Sequence, residues 1–391
     1  MQKNLIGIKV QRCILNYMKN KILLVTIDNL KYIGGTQVLI TNFYRNLIKK
    51  GFDVEIINFE FTEDKKQFKG LSSMKIVNLL KFGKRGFLSS FSFTLNIFKF
   101  LSKLNKAKVI YYLSNSIFDN FIFLIYSLLG KKVIYGFFHK PIFNFQDLKN
   151  EYPFITPLLF EVHLLPFKFF FKFIKIHVAN NADKKLLQNV LKTKNIITIP
   201  LFIPLPKINY KIKCSKKFNV LFVGKMDKYI KGLDFLIEII KEVNKRIDKI
   251  NFWIVGDGKD KSIIEELAKE YKNVKYFGKV DDKKLIELYK NSSLLIVTSR
   301  SECFHLVSIE AQYFGIPVIA FNIDVFKERK YIFKIKPFNI KSFANKILEI
   351  YKLWKENKEK YLELRRKIKE HSKIYTFDYI YEKYWKNILE S

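Results

Sequence analysis

Apolar runs of strand length, each followed by a segment of helical period, constrain this chain more than any other feature. KILLVTI (Lys21–Ile27) is the first, followed by the helical pattern TQVLITNFYRNLIKKG, which closes at Gly51, and by DVEIINF. MKIVNLL, AKVIYYL, KKVIYGFF and IKIHVAN extend this series. A second series opens at FNVLFVG (Phe218–Gly224) and runs through NFWIVGDG, NVKYFG, LLIVTS and IPVIAF. Its helical segments are LDFLIEIIKEVNKRI, KSIIEELAKEY, DKKLIELYKNS and HLVSIEAQYF. Strands apolar along their whole length are buried on both faces, so the alternation predicts an α/β chain with parallel sheets covered by helices.

Two such series in 391 residues predict two Rossmann-like domains. The expected boundaries are a basic extension over 1–20, a first domain over 21–205 and a second over 218–372. The Pro- and Lys-rich stretch IPLFIPLPKINYKIKCSKK reads as the linker. The aromatic tail, 373–391, reads as a helix returning to the first domain. Open α/β sheets bind ligands at the carboxyl ends of their strands, so the two halves are expected to face each other across a cleft.

The charge balance bears on what could bind. Lys and Arg number 71 against 36 Asp and Glu, a net charge of +35. Lysines on solvated faces account for part of this surplus, but such a field favours anions: phosphate-bearing substrates, anionic lipid headgroups or nucleic acid. The segment 151–176, EYPFITPLLFEVHLLPFKFFFKFIKI, interleaves aromatics with Lys and reads either as a core helix pair or as a contact with an anionic membrane surface. No nucleic-acid-binding module accompanies it, so nucleic acid is not expected as a partner. The three cysteines (Cys13, Cys214, Cys303) are far apart, which argues against a disulfide framework or zinc site and for a reducing, cytoplasmic setting. Cys303 lies beside Glu302, but no histidine can be assigned to it as a partner. The most apolar window, 109–130, carries Ser, Asn and Asp119 and divides into strand, loop and helix rather than spanning a membrane.

The stretch SECFHLVSIEAQYFGIPVIAF (301–321) concentrates the chemistry. A helix starting near His305 and ending at Phe314, with Gly315 as its left-handed cap, would present free N–H groups and the positive end of its dipole. Glu302 would stand in the loop before this anion site, and Glu310 more than a turn into the helix. A carboxylate there can accept bonds from two vicinal hydroxyls, such as those of a ribose. The pair therefore suits a molecule with hydroxyls at both ends and phosphates between them.

This stretch resembles the E-x7-E motif of the retaining family 4 glycosyltransferases, which have the GT-B fold. VLFVGKMDKYIKGLDFLIEII, WIVGDGKDKSIIEELAKE and VKYFGKVDDKKLIELYKNSSLLIVTSRSE resemble the family's preceding segments, in order. In the first half, IGGTQVLITNFYRNLIKKGFDVEII resembles its Gly-rich loop and first helix. The resemblance implies that Lys225, where the family usually has Arg, and Lys231 neutralise the diphosphate of a departing nucleotide. Gly34 and Gly35 would let backbone amides approach the same phosphates, and Gly224 belongs to the same binding set. The amides of Phe304, His305 and Leu306 would line the phosphate site. The backbone near Gly278 and Val280 would meet the base, Glu310 the ribose and Glu302 the transferred sugar. His139, in YGFFHKPI, would face the donor sugar.

The implied activity is transfer of a sugar, with retention, from a nucleotide-diphosphate sugar to a glycan or lipid-linked acceptor in surface polysaccharide or glycolipid synthesis. The chain has no D-x-D, so no metal and no cofactor are expected. The implied location is the cytoplasm, with peripheral membrane contact through the aromatic, Lys-rich segment. Three departures stand out: His305 where the family often has Gly, FNIDVFKERKYIF in place of a Gly-Gly loop and further Glu, and IPLFIPLP at the domain junction. Competing readings are a GT-B nucleotide-sugar epimerase or phosphorylase, and a non-catalytic basic membrane- or nucleic-acid-binding protein on the same scaffold.

Overall fold

The structure, a computed structural model, describes residues 21–26, 35–60, 76–81, 97–113, 125–138 and 173–391. The basic extension 1–20 and residues 151–172 of the aromatic segment fall outside these ranges. The chain divides into two compact units, Met1–Leu201 with Ile380–Ser391, and Phe202–Tyr379.

The first unit contains β1 (Lys21–Thr26), α1 (Gly35–Lys49), β2 (Asp53–Glu60), β3 (Ile76–Lys81), α2 (Ile97–Lys106), β4 (Val109–Leu113), β5 (Lys132–Phe137), β6 (Lys175–Val178), α3 (Asn181–Leu191) and β7 (Ile196–Thr198). All pairings are parallel, in the order β3-β2-β1-β4-β5-β6-β7. β1 is buried from Ile22 to Thr26, as its unbroken apolar run requires. Glu55 lies buried in β2 because Lys21 (2.9 Å) and Lys103 both pair with it. Burial pushes its carboxyl up, but the two cations outweigh that and hold it below the usual carboxylate range.

The second unit contains β8 (Phe218–Val223), α4 (Lys228–Lys231), α5 (Leu233–Asn244), β9 (Ile250–Val255), α6 (Ser262–Glu270), β10 (Val274–Tyr276), α7 (Asp282–Asn291), β11 (Leu294–Val297), α8 (Leu306–Tyr313), β12 (Val318–Phe321), β13 (Ile332–Ile335), α9 (Ile340–Glu356) and α10 (Lys358–His371). The parallel sheet runs β10-β9-β8-β11-β12-β13. Successive strand residues alternate between its two faces. Phe218, Val220, Phe222, Leu294 and Ile296 join α5 and α9 in one core, while Leu221, Leu295, Val297 and Val318 join α7 and α8 in the other.

The proline-rich stretch read as a linker is packed onto the second unit. Ile208 N donates to Tyr313 Oη (2.8 Å), Tyr210 Oη to Lys290 O (3.0 Å) and Arg365 Nη1 to Lys213 O (3.0 Å). The last twelve residues belong to the first unit. Trp385, in a π-helical turn, meets the rings of Phe43 (5.0 Å), Tyr111 (5.3 Å) and His177 (5.2 Å). Lys132 donates to Ile388 O (2.8 Å) and Lys108 to Glu390 O (3.2 Å), so cations meet the C-terminal carbonyls of the last helix. Among the described residues, no helix is long and apolar enough to cross a membrane.

Candidate active site

In the second sheet the chain fills β8, β9 and β10 in one direction, then returns to place β11 and β12 on the other side of β8. The direction of winding reverses between β8 and β11, where an open parallel sheet leaves a crevice at its carboxyl edge. The segments leaving these two strands carry Lys225, Lys231 and Glu302.

Backbone hydrogen bonds tie the turn after β8 to its neighbours. Gly224 N donates to Val255 O (3.0 Å), Met226 N to Asp257 O (3.0 Å) and Gly256 N to Gly278 O (2.9 Å). A Cβ on Gly256 (φ 141°) would lie 1.7 Å from Gly224 O, and one on Gly258 would lie 2.4 Å from Met226 O. The two glycines of the GDG turn are therefore what lets the loops after β8 and β9 touch. Gly278 also has positive φ (63°), with open space where a side chain would begin, and Val280 packs on the core.

Asp227 caps α4, accepting from Ile230 N (2.9 Å). The helix ends at Gly232 (φ 63°), where a Cβ would sit 2.2 Å from the backbone oxygen of Thr298. Thr298 Oγ1 donates to Lys231 O (2.8 Å), and Arg300 N donates to Ile230 O (3.0 Å). The Arg300 guanidinium grips both oxygens of Asp234 (2.9 and 2.5 Å) and lies 4.0 Å over the Phe235 ring. These contacts clamp the segment leaving β11 onto the α4–α5 junction. Lys231 Nζ consequently meets Glu302 Oε1 at 2.5 Å, and Ser299 Oγ donates to the same oxygen (2.7 Å). Burial raises the Glu302 pKa, but Lys231, then His305 and Ser299, bring the net below the ordinary value, so Glu302 is a carboxylate.

α8 begins where the sequence placed it, with His305 as its N-cap and Gly315 (φ 69°) beyond its end. His305 has φ 61° and ψ 76°, a left-handed conformation. Its Nδ1 accepts from Ser308 N (3.2 Å), and Ser308 Oγ donates back to His305 O (2.8 Å). Arg329, buried, donates to Ser308 Oγ (2.7 Å), to Phe304 O and to His305 O (3.4 Å), and its guanidinium lies 4.0 Å over the buried Phe304 ring. Burial pushes the His305 imidazole down to about 4, so it is neutral at pH 7, while Arg329, lowered to about 10, keeps its charge.

Glu310 lies in the second turn of α8, 8% exposed, with Oε2 accepting from Tyr289 Oη (2.7 Å). Burial raises its carboxyl to about 7 despite that bond. At the far end of α8, fully buried Arg365 donates to Gly315 O (3.0 Å) and Phe314 O (3.1 Å), a cation at the negative end of the helix.

The structure therefore brings Gly224, Lys225, Lys231, Glu302, Phe304, His305, Leu306 and Glu310 to the loops after β8 and β11 and into α8. Gly278 is tied to them through the backbone of Gly256. Lys225 is exposed, and among the described residues no ion pair holds its ammonium. Gly35 is the exposed first residue of α1 in the first unit. Gly34 and His139 lie outside the described residues. Sequence reasoning missed Tyr289, Ser299, Arg300 and Arg329. Tyr289 sits on the apolar period of α7 and reads there as core. Arg329, in FKERKY, is indistinguishable by pattern from the surface charges around it. Among the described residues, no three His, Cys, Asp or Glu side chains converge as metal ligands.

Two doubly wound parallel sheets in one chain, the second with this basic, carboxylate-gripped switch point, define the GT-B class of fold. Residues 217–352, within the second unit, match the family described as Glycosyl transferases group 1. A relative described as an uncharacterized 41.2 kDa protein in the cps region of Klebsiella pneumoniae is 42% identical over 28% of this chain and 29% of its own length. An uncharacterized glycosyltransferase of Haemophilus influenzae is 32% identical over 55% of this chain and 61% of its own. The chain thus spans less than two thirds of the curated relatives it matches. The solved lipopolysaccharide outer core galactosyltransferase WaaB, in its apo form, aligns over 94% of this chain and 99% of that one. Its TM-score is 0.63 at 15% identity, a likeness of fold.

Proposed function

We propose that the protein is a retaining glycosyltransferase that moves a sugar from a nucleotide-diphosphate donor to a glycan or lipid-linked acceptor. The observation that carries this reading is the Lys231–Glu302 pair at the switch point, set immediately before the N-terminus of α8. Breaking a glycosyl–phosphate bond leaves positive character on the sugar and adds negative charge to the diphosphate. Lys231 has two N–H groups beyond the one it gives Glu302, exposed Lys225 is free to move, and the first amides of α8 lack partners within the helix. Together they stabilise the leaving group by fixed donors and cations, the role a metal plays elsewhere, so metal independence is part of the proposal. Glu302 takes Lys231 and Ser299 on Oε1, which leaves Oε2 to accept a sugar hydroxyl. Glu310 receives the ribose, whose hydroxyls supply the donors that a buried carboxylate needs.

Synthesis of a surface polysaccharide or glycolipid fits the relative named for a cps region and the fold shared with a lipopolysaccharide galactosyltransferase. The test has two stages. A thermal-shift screen against UDP, GDP, ADP and their sugars identifies the donor through ligand stabilisation of the folded state. Lys231→Ala is then assayed for sugar transfer with that donor. The expected loss is about 100-fold, the usual cost of removing one donor to a developing anion. Full activity in the variant would overturn the site.

A further inference from the structure

The left-handed conformation of His305 is unusual for a residue with a side chain, and it falls at the turn into α8, in the middle of the proposed phosphate site. Positive φ is uncommon among non-glycine residues, and Asn, Asp and His are the side chains that adopt it most readily. Residues held in strained conformations persist where the surroundings over-determine them, and they cluster at functional sites. Here the surroundings are specific. Arg329 takes the carbonyls of Phe304 and His305 and the hydroxyl of Ser308, while Nδ1 of His305 itself caps Ser308 N.

That cap fixes the tautomer. An Nδ1 that accepts from Ser308 N carries no proton, so in the neutral ring the proton is on Nε2. Among the described residues no hydrogen bond holds Nε2, and it is not a buried unsatisfied atom. The charged groups acting on the ring are the Glu302 carboxylate, the Lys231 ammonium and the Arg329 guanidinium; from the 324–326 turn it meets only the Phe326 ring, at 5.6 Å. The imidazole is thus an oriented, neutral donor set among the groups that handle the anion.

We propose that His305 is a direct ligand of the donor's diphosphate, giving Nε2–H to a phosphate oxygen and so replacing with a side chain what a glycine at this turn would leave to the backbone. The assignment rests on the function proposed above and deepens it. A neutral donor adds no charge before reaction and strengthens its hydrogen bond as the leaving group becomes more negative.

His305→Asn isolates the claim. Asn tolerates the left-handed conformation and is a strong N-cap, so it keeps the turn and the bond from Ser308 N while removing the far nitrogen. His305→Gly serves as a second variant that relieves the backbone entirely. Binding of the best nucleoside diphosphate from UDP, GDP and ADP, and of the matching nucleoside, is measured by calorimetry, with melting temperature as a check on folding. Both variants are expected to bind the diphosphate about tenfold more weakly than wild type, the effect of one hydrogen bond to a charged group, and the nucleoside equally well. Variants that fold and bind the diphosphate as tightly as wild type, or more tightly, overturn the assignment while leaving the function standing. A wild-type protein that binds none of the three diphosphates overturns both.

Discussion

Burying the Glu310 carboxyl costs the proposed site stability, and Glu310→Gln measures that cost. The carboxyl is 8% exposed, and among the described residues it accepts one side-chain hydrogen bond, from Tyr289 Oη. Its pKa rises from 4.5 to about 7, with burial the largest cause. A group whose pKa is raised on folding contributes most below its unfolded pKa, and the contribution is lost as pH climbs through the folded value. Here the loss falls between pH 4.5 and about 7. A shift of roughly 2.5 pKa units corresponds to about 3 kcal/mol of penalty above pH 7. Glutamine keeps the shape and still accepts from Tyr289 but brings an amide in need of a partner, which returns about 1 kcal/mol. The variant should therefore be about 2 kcal/mol more stable at pH 8, a rise in melting temperature of roughly 4–8 °C for a unit of this size. The gain should vanish at about pH 5, and below pH 4.5 the variant should be about 1 kcal/mol less stable than wild type. Activity should move the other way, because an amide accepts from two ribose hydroxyls less well than a carboxylate does. Calorimetric melts of both proteins from pH 4 to 8, without nucleotide, provide the assay. A pH-independent difference, or a less stable variant at pH 8, would show that burial of a charged carboxyl is not what sets the stability of this site.

The remaining expectations concern the backbone, the leaving group and the surface. Gly232→Ala forces a left-handed alanine and drives its Cβ toward Thr298 O; a loss of about 2–4 kcal/mol and a lower transfer rate are expected, checked by melting and assay, since the α4–α5 junction carries Lys231. Transfer should be unchanged by EDTA, whereas loss restored by added Mg2+ would count against metal-independent catalysis. The first unit exposes Ile125, Leu128, Leu129 and Phe173 in a chain of net charge +35. Sedimentation with anionic vesicles should therefore occur at low salt and fall as salt rises, and absence of binding at low salt would remove membrane contact from the proposal.

How much of this was legible in the sequence follows from the range of the forces involved. Strand and helix periodicity reports on a few neighbouring residues at a time, and it marked the long apolar strands and the span of α8. β7 and β13, three and four residues long, are too short to carry a period and take their conformation from the sheet edge they join. The stretch IPLFIPLP and its Lys-rich continuation look like a linker, because nothing local reveals that Tyr313, Lys290 and Arg365 will bind them.

Composition and spacing along the chain specify two α/β series, their order, and the residues proposed to handle phosphate. Folding adds what local pattern lacks: Lys231 pairs with Glu302 across 71 residues, Tyr289 holds Glu310, and Arg329 secures a histidine in a glycine's conformation. Those choices depend on which strands become neighbours and on which charges lose water together, and burial is a property of the folded surface that no local pattern encodes.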